Sequence, residues 1–300
     1  MDIFFDLRSN IPHIAIQSNL SIKTSIIEIP VTNKVPILEY HDLSQTIIPL
    51  KNFHSPYVLH IAKFQEHMKW LYQNDYSTLL IDDLFTDNML EKSVVLTFDD
   101  GHISNYQLAF AVLKEFNFIA TFFMVPMFIG KKDYLAKEQI LEMHEHGMKF
   151  GSHSLTHPYI LSLSREEMIR EVRKSKAKIQ SILNNEIKHF SVPYGFYNKY
   201  LIQCLKQAGY KTLVTENFGY YKYRDNPFHV LPRFTVKSHF DLKSFQNIVK
   251  GRRISLLSDY ARELGTQYSK AVLGYRNYIR LKSLILNKKP QPFGDRPNYH

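Results

Sequence analysis

The chain has 300 residues, 44% of them hydrophobic and 22% charged, which is enough apolar material for a sizeable core and excludes a disordered or fibrous protein. Its 38 lysines and arginines against 28 acidic residues give a net charge of +10, and such a surface attracts polyanions: acidic glycans, anionic membranes or nucleic acid. No zinc-finger spacing, RNA-recognition signature or recognition helix accompanies that charge, so no specific nucleic-acid partner is expected.

Cys204 is the only cysteine. An internal disulfide is therefore impossible, which fits a reducing compartment without requiring one. In the run Tyr200 to Lys206 it reads as a small core residue. The opening Met1 to Arg8 carries charges inside its short apolar stretch and matches no secretory signal, and no uncharged run is long enough to span a bilayer. A cytoplasmic or peripherally membrane-associated protein is the expectation.

Residues 1–33 alternate loosely and read as an N-terminal arm or extra strand. From Val35 the pattern becomes regular. A short apolar strand ends at Tyr40-His41-Asp42, and Ile61, Phe64, Met68 and Leu71 then mark one face of a helix over 60–74. Strands follow at Thr78–Ile81 and Ser93–Phe98, then a helix over 103–116, a strand at Ala120–Val125 and a helix over 137–146. A strand at Lys149–Gly151 comes next. Ser164 with Glu167 is a capping-box signature that opens a long helix with Met168, Val172, Ile179 and Leu183 on one face. Strand 188–191, helix 198–208 and strands 211–214 and 229–231 complete the repetition.

Short apolar strands alternating with amphipathic helices imply parallel strands joined by right-handed crossovers. The number of strands favours a closed α/β barrel, a (β/α) barrel over residues 34–251. Residues 252–300 differ: basic and helical to about residue 286, then a flexible tail from Lys288. Packing on the barrel, self-association and contact with a membrane surface are the uses open to such an extension, and packing is the simplest.

In such a barrel the residues just past the C-terminal ends of the strands line one mouth, where active sites lie. Those positions hold Asp99 and Asp100 after one strand and His153 and His157 after another. Pro193-Tyr194-Gly195 follows a third, and His41 the first. Two histidines with a carboxylate suit zinc or a related divalent ion with coordination positions to spare. Such an ion acidifies a bound water, and a second carboxylate beside it can take the proton, so the aspartate pair makes sense as one ligand and one base. Each piece alone is weak, since Asp-Asp-Gly is a common turn and a histidine pair is easily incidental. Their placement at successive strand ends is what gives them weight.

Here the sequence resembles the polysaccharide deacetylases, the NodB-homology or carbohydrate esterase family 4 enzymes, over roughly Val35 to Val236. The motifs stand as Thr97-Phe98-Asp99-Asp100-Gly101 and His153-Ser154-Leu155-Thr156-His157. The resemblance implies a distorted (β/α) barrel and hydrolysis of the N-acetyl group of N-acetylhexosamine units in a polysaccharide or glycan precursor. It implies one divalent metal ion, with zinc first and cobalt or nickel as alternatives. Asp99 matches the base, and Asp100, His153 and His157 match the metal ligands. Val192-Pro193-Tyr194-Gly195 matches the third motif, where the Tyr194 backbone N–H would help hold the oxyanion. Pro193, Tyr194, Gly195 and Tyr197 would line the substrate.

Two departures from the family pattern matter. The third motif usually begins with arginine, and Ser191 stands there. The last motif usually offers a histidine acid, and Leu231-Pro232-Arg233 stands instead. Both fit a subgroup resembling the circularly permuted poly-β-1,6-N-acetylglucosamine deacetylases. By that resemblance His41, from an early Tyr-His motif, is the general acid and Arg233 orients Asp99; Asp42 is adjacent and could bond His41. The alternatives are a silent glycan-binding barrel, which would not need the base, and an amidase of the same fold acting on a small amide. Loop tyrosines Tyr220, Tyr221 and Tyr223 are further candidates for contact with sugar rings.

Overall fold

The computed structural model describes residues 35–46, 55–86, 92–221 and 226–252, together with Gly265 and Leu281. The expected arm over 1–33 falls outside the described residues, as do Tyr223 and, apart from those two positions, the helical extension and tail beyond residue 252.

The first half of the chain supplies β1 (Ile37–Tyr40), a small parallel pair β2 (Asp42–Ser44) and β3 (Val58–His60), helix α1 (Ile61–Gln73), β4 (Ser77–Leu79) and β5 (Ser93–Asp100). Then come α2 (Ala111–Glu115), β6 (Thr121–Met124), α3 (Lys137–Glu145), β7 (Lys149–Ser152) and α4 (Arg165–Leu183). The chain continues through β8 (His189–Ser191), α5 (Lys199–Gln207), β9 (Thr212–Val214), β10 (His229–Leu231), β11 (Phe234–Thr235) and α6 (Leu242–Val249). The expected capping box is present: Ser164 Oγ accepts from the Glu167 N–H at 3.2 Å, and Glu167 Oε2 from the Ser164 N–H at 2.8 Å. The helix expected over 103–116 instead opens with a wide π-helical turn, Asn105–Phe110, before α2.

Nine strands form one sheet in the order β10-β9-β8-β7-β6-β5-β1-β11, every described pairing being parallel, with β4 against the N-terminal half of β5. The two ends of that order are β10 and β11, yet only Pro232 and Arg233 separate them in sequence. One short segment thus pairs with both edges, and the sheet has to curl into the expected barrel. A parallel sheet buried on both faces needs apolar side chains on both, and all eight residues of β5 are buried.

Alternation along the strands sorts the core into two layers. Leu38, Tyr40, Leu96, Phe98 and Phe122 point outward under the helices, where Phe64, Met68 and Leu71 of α1 meet them. Ile37, Val95, Phe123, Val214 and Leu231 fill the barrel. Gly151 of β7 is the cost of that filling: a Cβ there would lie 2.5 Å from the Phe123 ring. The turn Asp82–Phe85 closes the far end, with Asp82 3.3 Å from His189 and Phe85 stacked on His229 at 4.2 Å. Above the apolar layer the inward residues become polar, and the site begins.

Candidate active site

Asp99 lies on the inward face of β5, and by simple alternation Asp100 should face the helices. It does not, because Asp100 and Gly101 adopt φ of +77° and +71°. This left-handed turn, which aspartate tolerates better than most residues, brings both carboxylates to one mouth.

The histidine loop is bent the same way. Ser154 and His157 have φ of +62° and +61°, and Ser154 Oγ accepts from the His157 N–H at 3.0 Å. Glu171, a buried carboxylate of α4, fastens the loop from behind. It accepts from the Leu155 and Thr156 N–H groups at 2.8 and 2.9 Å and from Thr156 Oγ1 at 2.8 Å. Glu171 carries no signal in the sequence, being one glutamate among several acidic residues on an amphipathic helix. Four non-glycine residues in the left-handed region around one mouth (Tyr194, φ +63°, is the fourth) hold strain that the surrounding structure must impose.

His157 Nε2 lies 3.2 Å and His153 Nε2 3.5 Å from Asp100 Oδ1, and one ligand atom from each of the three residues falls within 4.8 Å of the others. Burial pushes the two imidazoles down to about 3 for His153 and about 4 for His157, against the pull of Asp99's charge, so both are neutral near pH 7. His153 Nδ1 lies 2.9 Å from the Ser191 carbonyl. In a neutral ring that contact fixes the proton on Nδ1 and leaves the Nε2 lone pair aimed at a carboxylate oxygen. Acceptor faces acceptor, an arrangement that a cation resolves. The donor set therefore fits the expected divalent ion, and nitrogen with carboxylate oxygen suits zinc.

Asp99 is held from the other side. Arg233 Nη1 donates to Oδ1 at 2.8 Å and Nη2 to Oδ2 at 2.7 Å, while Ser191 Oγ donates to Oδ2 at 2.9 Å. Nη1 also reaches Thr97 Oγ1, Nη2 reaches Ser191 Oγ, and Nε reaches the Thr215 carbonyl. Every N–H of a fully buried guanidinium is thereby used. Ser191 thus bonds both members of the pair, accepting from Arg233 Nη2 at 2.9 Å and donating to Asp99.

His41 follows β1 at the same mouth, its carbonyl accepting from Asn105 Nδ2 at 2.8 Å and its ring 4.8 Å from that of Tyr57. The carboxylate at its imidazole is Glu39, two residues back on the same strand face, with Oε1 3.4 Å from Nε2. Asp42, the neighbour expected to be available, lies 4.0 Å from His102. Tyr194 places its ring 4.9 Å from His157, and burial pushes its phenol up to about 12. Tyr197 packs partly buried against the layer between sheet and helices. Tyr220 and Tyr221 are engaged within the fold, with the Ile248 carbonyl and His229 respectively. Cys204 is buried, as expected of a core residue.

The polysaccharide deacetylase family model matches residues 86–213. The chain is 34% identical over 210 residues to YxkH of Bacillus subtilis (strain 168), itself assigned to the polysaccharide deacetylases, covering 68% of this chain and 71% of that one. It is 24% identical over 170 residues to the poly-β-1,6-N-acetyl-D-glucosamine N-deacetylase of Staphylococcus aureus, covering 50% of this chain and 58% of that protein. With the peptidoglycan-N-acetylglucosamine deacetylase of Bacillus cereus it shares 29% over 125 residues, or 41% of this chain and 56% of the relative. The chain thus spans little more than half the length of these last two.

Among solved structures, the Streptococcus pyogenes deacetylase PplD superposes with a TM-score of 0.65 at 24% identity, covering 72% of this chain and 98% of that one. IcaB from Ammonifex degensii does so at 0.61 and 21%, covering 73% and 96%. These likenesses establish the fold. The chain belongs to the polysaccharide deacetylase family. Among the described residues no helix is long and apolar enough to cross a membrane.

Proposed function

We propose that this protein hydrolyses the N-acetyl group of N-acetylhexosamine units in a polysaccharide or glycan precursor, releasing acetate and leaving a free amine. The observation that carries the reading is the side-by-side placement of a carboxylate gripped by Arg233 and a separate carboxylate gathered with two neutral imidazoles. The relatives named above act, by their names, on N-acetylglucosamine polymers and peptidoglycan.

Asp100, His153 and His157 would hold the divalent ion, with zinc favoured and cobalt or nickel as substitutes. Once bound, the ion supplies Lewis-acid polarisation of the acetamide carbonyl and lowers the pKa of a coordinated water. Asp99 takes the proton from the attacking water. Arg233 and Ser191 hold its oxygens, so the base is kept in one orientation and unprotonated. The Tyr194 backbone N–H donates to the oxygen of the tetrahedral intermediate. His41 gives a proton to the nitrogen as the C–N bond breaks, because an unprotonated amine leaves poorly. Pro193, Tyr194 and Gly195 line the sugar side.

The test is acetate release from a panel of N-acetylglucosamine oligomers, poly-β-1,6-N-acetylglucosamine and small amides. Release from the glycans alone supports the proposal. Release only from small amides, or glycan binding without release, overturns it.

A further inference from the structure

Glu39 is a carboxylate inside the barrel that the reaction as described leaves without a task. It sits on the inward face of β1 and is wholly buried. Its two oxygens face different members of the site. Oε2 accepts from Thr235 Oγ1 at 3.0 Å and lies 3.4 Å from Arg233 Nε. Oε1 makes no hydrogen bond to the described residues, and His41 Nε2 stands 3.4 Å from it. One ligand-type atom each of Glu39, His41 and Asp99 falls within 4.8 Å of the others.

A buried carboxylate with one oxygen pinned and the other aimed at an imidazole is placed to act on that imidazole. We propose that Glu39 is the positioning residue for the general acid: it turns the His41 ring and shares a proton with it. The assignment rests on the deacetylase reading. Through Arg233 the same carboxylate touches the grip on Asp99, so acid and base belong to one buried network.

The charges around the pair are consistent with a shared proton. Burial first, then the charges of Glu216 and Asp99, push the Glu39 carboxyl well above the usual carboxylate range, while Arg233 and Thr235 pull the other way. Arg233 can balance one of the two nearest carboxylates, Glu39 and Asp99, and a proton held between Glu39 and His41 relieves the other. Arg233 at the β10–β11 link, Asp99 on β5 and Glu216 after β9 are the charged groups that bear on Glu39. Tyr57 faces the His41 ring, and Asp99, like Glu39, has a carboxylate oxygen within 4.8 Å of one of its nitrogens. Two groups that share a proton titrate as a pair, and removing one moves the apparent pKa of the other.

The experiment is the pH dependence of kcat/KM for acetate release by metal-loaded wild-type protein and Glu39→Gln. The amide keeps the shape of the side chain and removes its charge and its titration. The alkaline limb, where the acid loses its proton, is expected to move to lower pH, with kcat at pH 8 reduced by about tenfold or more and KM changed by less than about twofold. In a His41→Ala background, Glu39→Gln is expected to add no further loss. A merely structural role would lower stability or raise KM and leave the limb in place. An unmoved limb in a folded, active Glu39→Gln protein overturns the proposal, as does a full additional loss on His41→Ala. Should Glu39→Gln not fold, Glu39→Asp, whose carboxylate falls short of the ring, is expected to shift the limb the same way, and an unmoved limb there is equally decisive against it. Absence of acetate release by the wild type would instead remove the deacetylase reading itself.

Discussion

Arg233 and Asp99, 134 positions apart in the chain, form a two-pronged ion pair inside the barrel, Nη1 to Oδ1 at 2.8 Å and Nη2 to Oδ2 at 2.7 Å. Burial alone would push the aspartate up, and Arg233, followed by His153, outweighs it and holds the carboxyl below the usual carboxylate range. The closure of the barrel creates this pair, since Arg233 lies between the two strands that join its edges. The fold and the orientation of the Asp99 carboxylate therefore depend on the same two-residue link.

Replacing that arginine separates charge from geometry. Lysine keeps a cation but presents one ammonium where a planar fork fits two oxygens. Arg233→Lys is expected to lower kcat/KM by about tenfold or more, the size of effect that misorienting a base produces. A base works only when deprotonated, so weakening the pair raises its pKa and moves the acid limb of the pH profile to higher pH. Metal content should stay at the wild-type level. Arg233→Met, which strands buried carboxylates, should cost about 3–5 kcal/mol of stability in urea unfolding.

Asp99→Asn tests base against ligand. Turnover is expected to fall by about a hundredfold or more, the contribution of general base catalysis, with the metal retained. Loss of the metal together with activity would place Asp99 among the ligands.

For the ion itself, His153→Ala is expected to abolish stoichiometric binding in a metal titration. Glu171→Gln touches no proposed ligand atom but loosens the loop that carries His157, and a supporting residue of this kind should cost about 10–100-fold in metal affinity. Wild-type affinity in Glu171→Gln would show that the loop holds its bent form unaided.

How much of this was legible in the chain follows from how each residue announces itself. Asp99, Asp100, His153 and His157 stand in short contiguous motifs at strand ends, and the alternation of apolar strands and amphipathic helices was strong enough to give the barrel. Strand β11 is two residues long and carries no periodicity, so the joining of the two sheet edges could not be read. Glu39 was hidden for a different reason: a charged residue inside a strand that buries both faces breaks the expected pattern and looks like noise. Glu171 was masked by its helix. Asp42 drew attention through adjacency to His41, although residues two apart on a strand share a face and residues one apart do not. The π-helical opening of the helix after Gly101 is likewise a tertiary effect, since Asn105 there is buried and bonds the His41 carbonyl.

Gly151 reports on the packing that supports the site. A Cβ there would meet the Phe123 ring at 2.5 Å and the His189 carbonyl at 3.0 Å, so Gly151→Ala should destabilise by about 1–3 kcal/mol through overpacking. Phe123→Leu in the same chain should recover part of that loss, because the ring is the nearer obstacle. Full stability of Gly151→Ala alone would show that the barrel interior is looser than the contacts indicate.

His67 gives a signature in pH. It is buried between Tyr40, whose hydroxyl lies 3.3 Å from Nδ1, and Phe245, stacked at 4.0 Å. Burial, then Lys63, pulls its pKa from 6.5 down to about 3. The unfolded chain therefore binds a proton that the folded one refuses, and the stability involved is complete above pH 6.5 and lost as pH falls toward 3. In His67→Leu the slope of unfolding free energy against pH in that window should flatten by up to about 1.4 kcal/mol per pH unit, the value for one proton. An unchanged slope would mean that His67 takes up its proton without unfolding.

The most direct measurement is acetate released per chain from an N-acetylglucosamine polymer by one preparation in three states: as purified, after chelation, and after return of one equivalent of zinc. Many turnovers per chain are expected as purified, none after chelation and recovery with zinc, with an equal yield of free amine throughout. Acetate release that survives removal of the metal would contradict the proposed reaction, as would a zinc-loaded, folded protein that releases none.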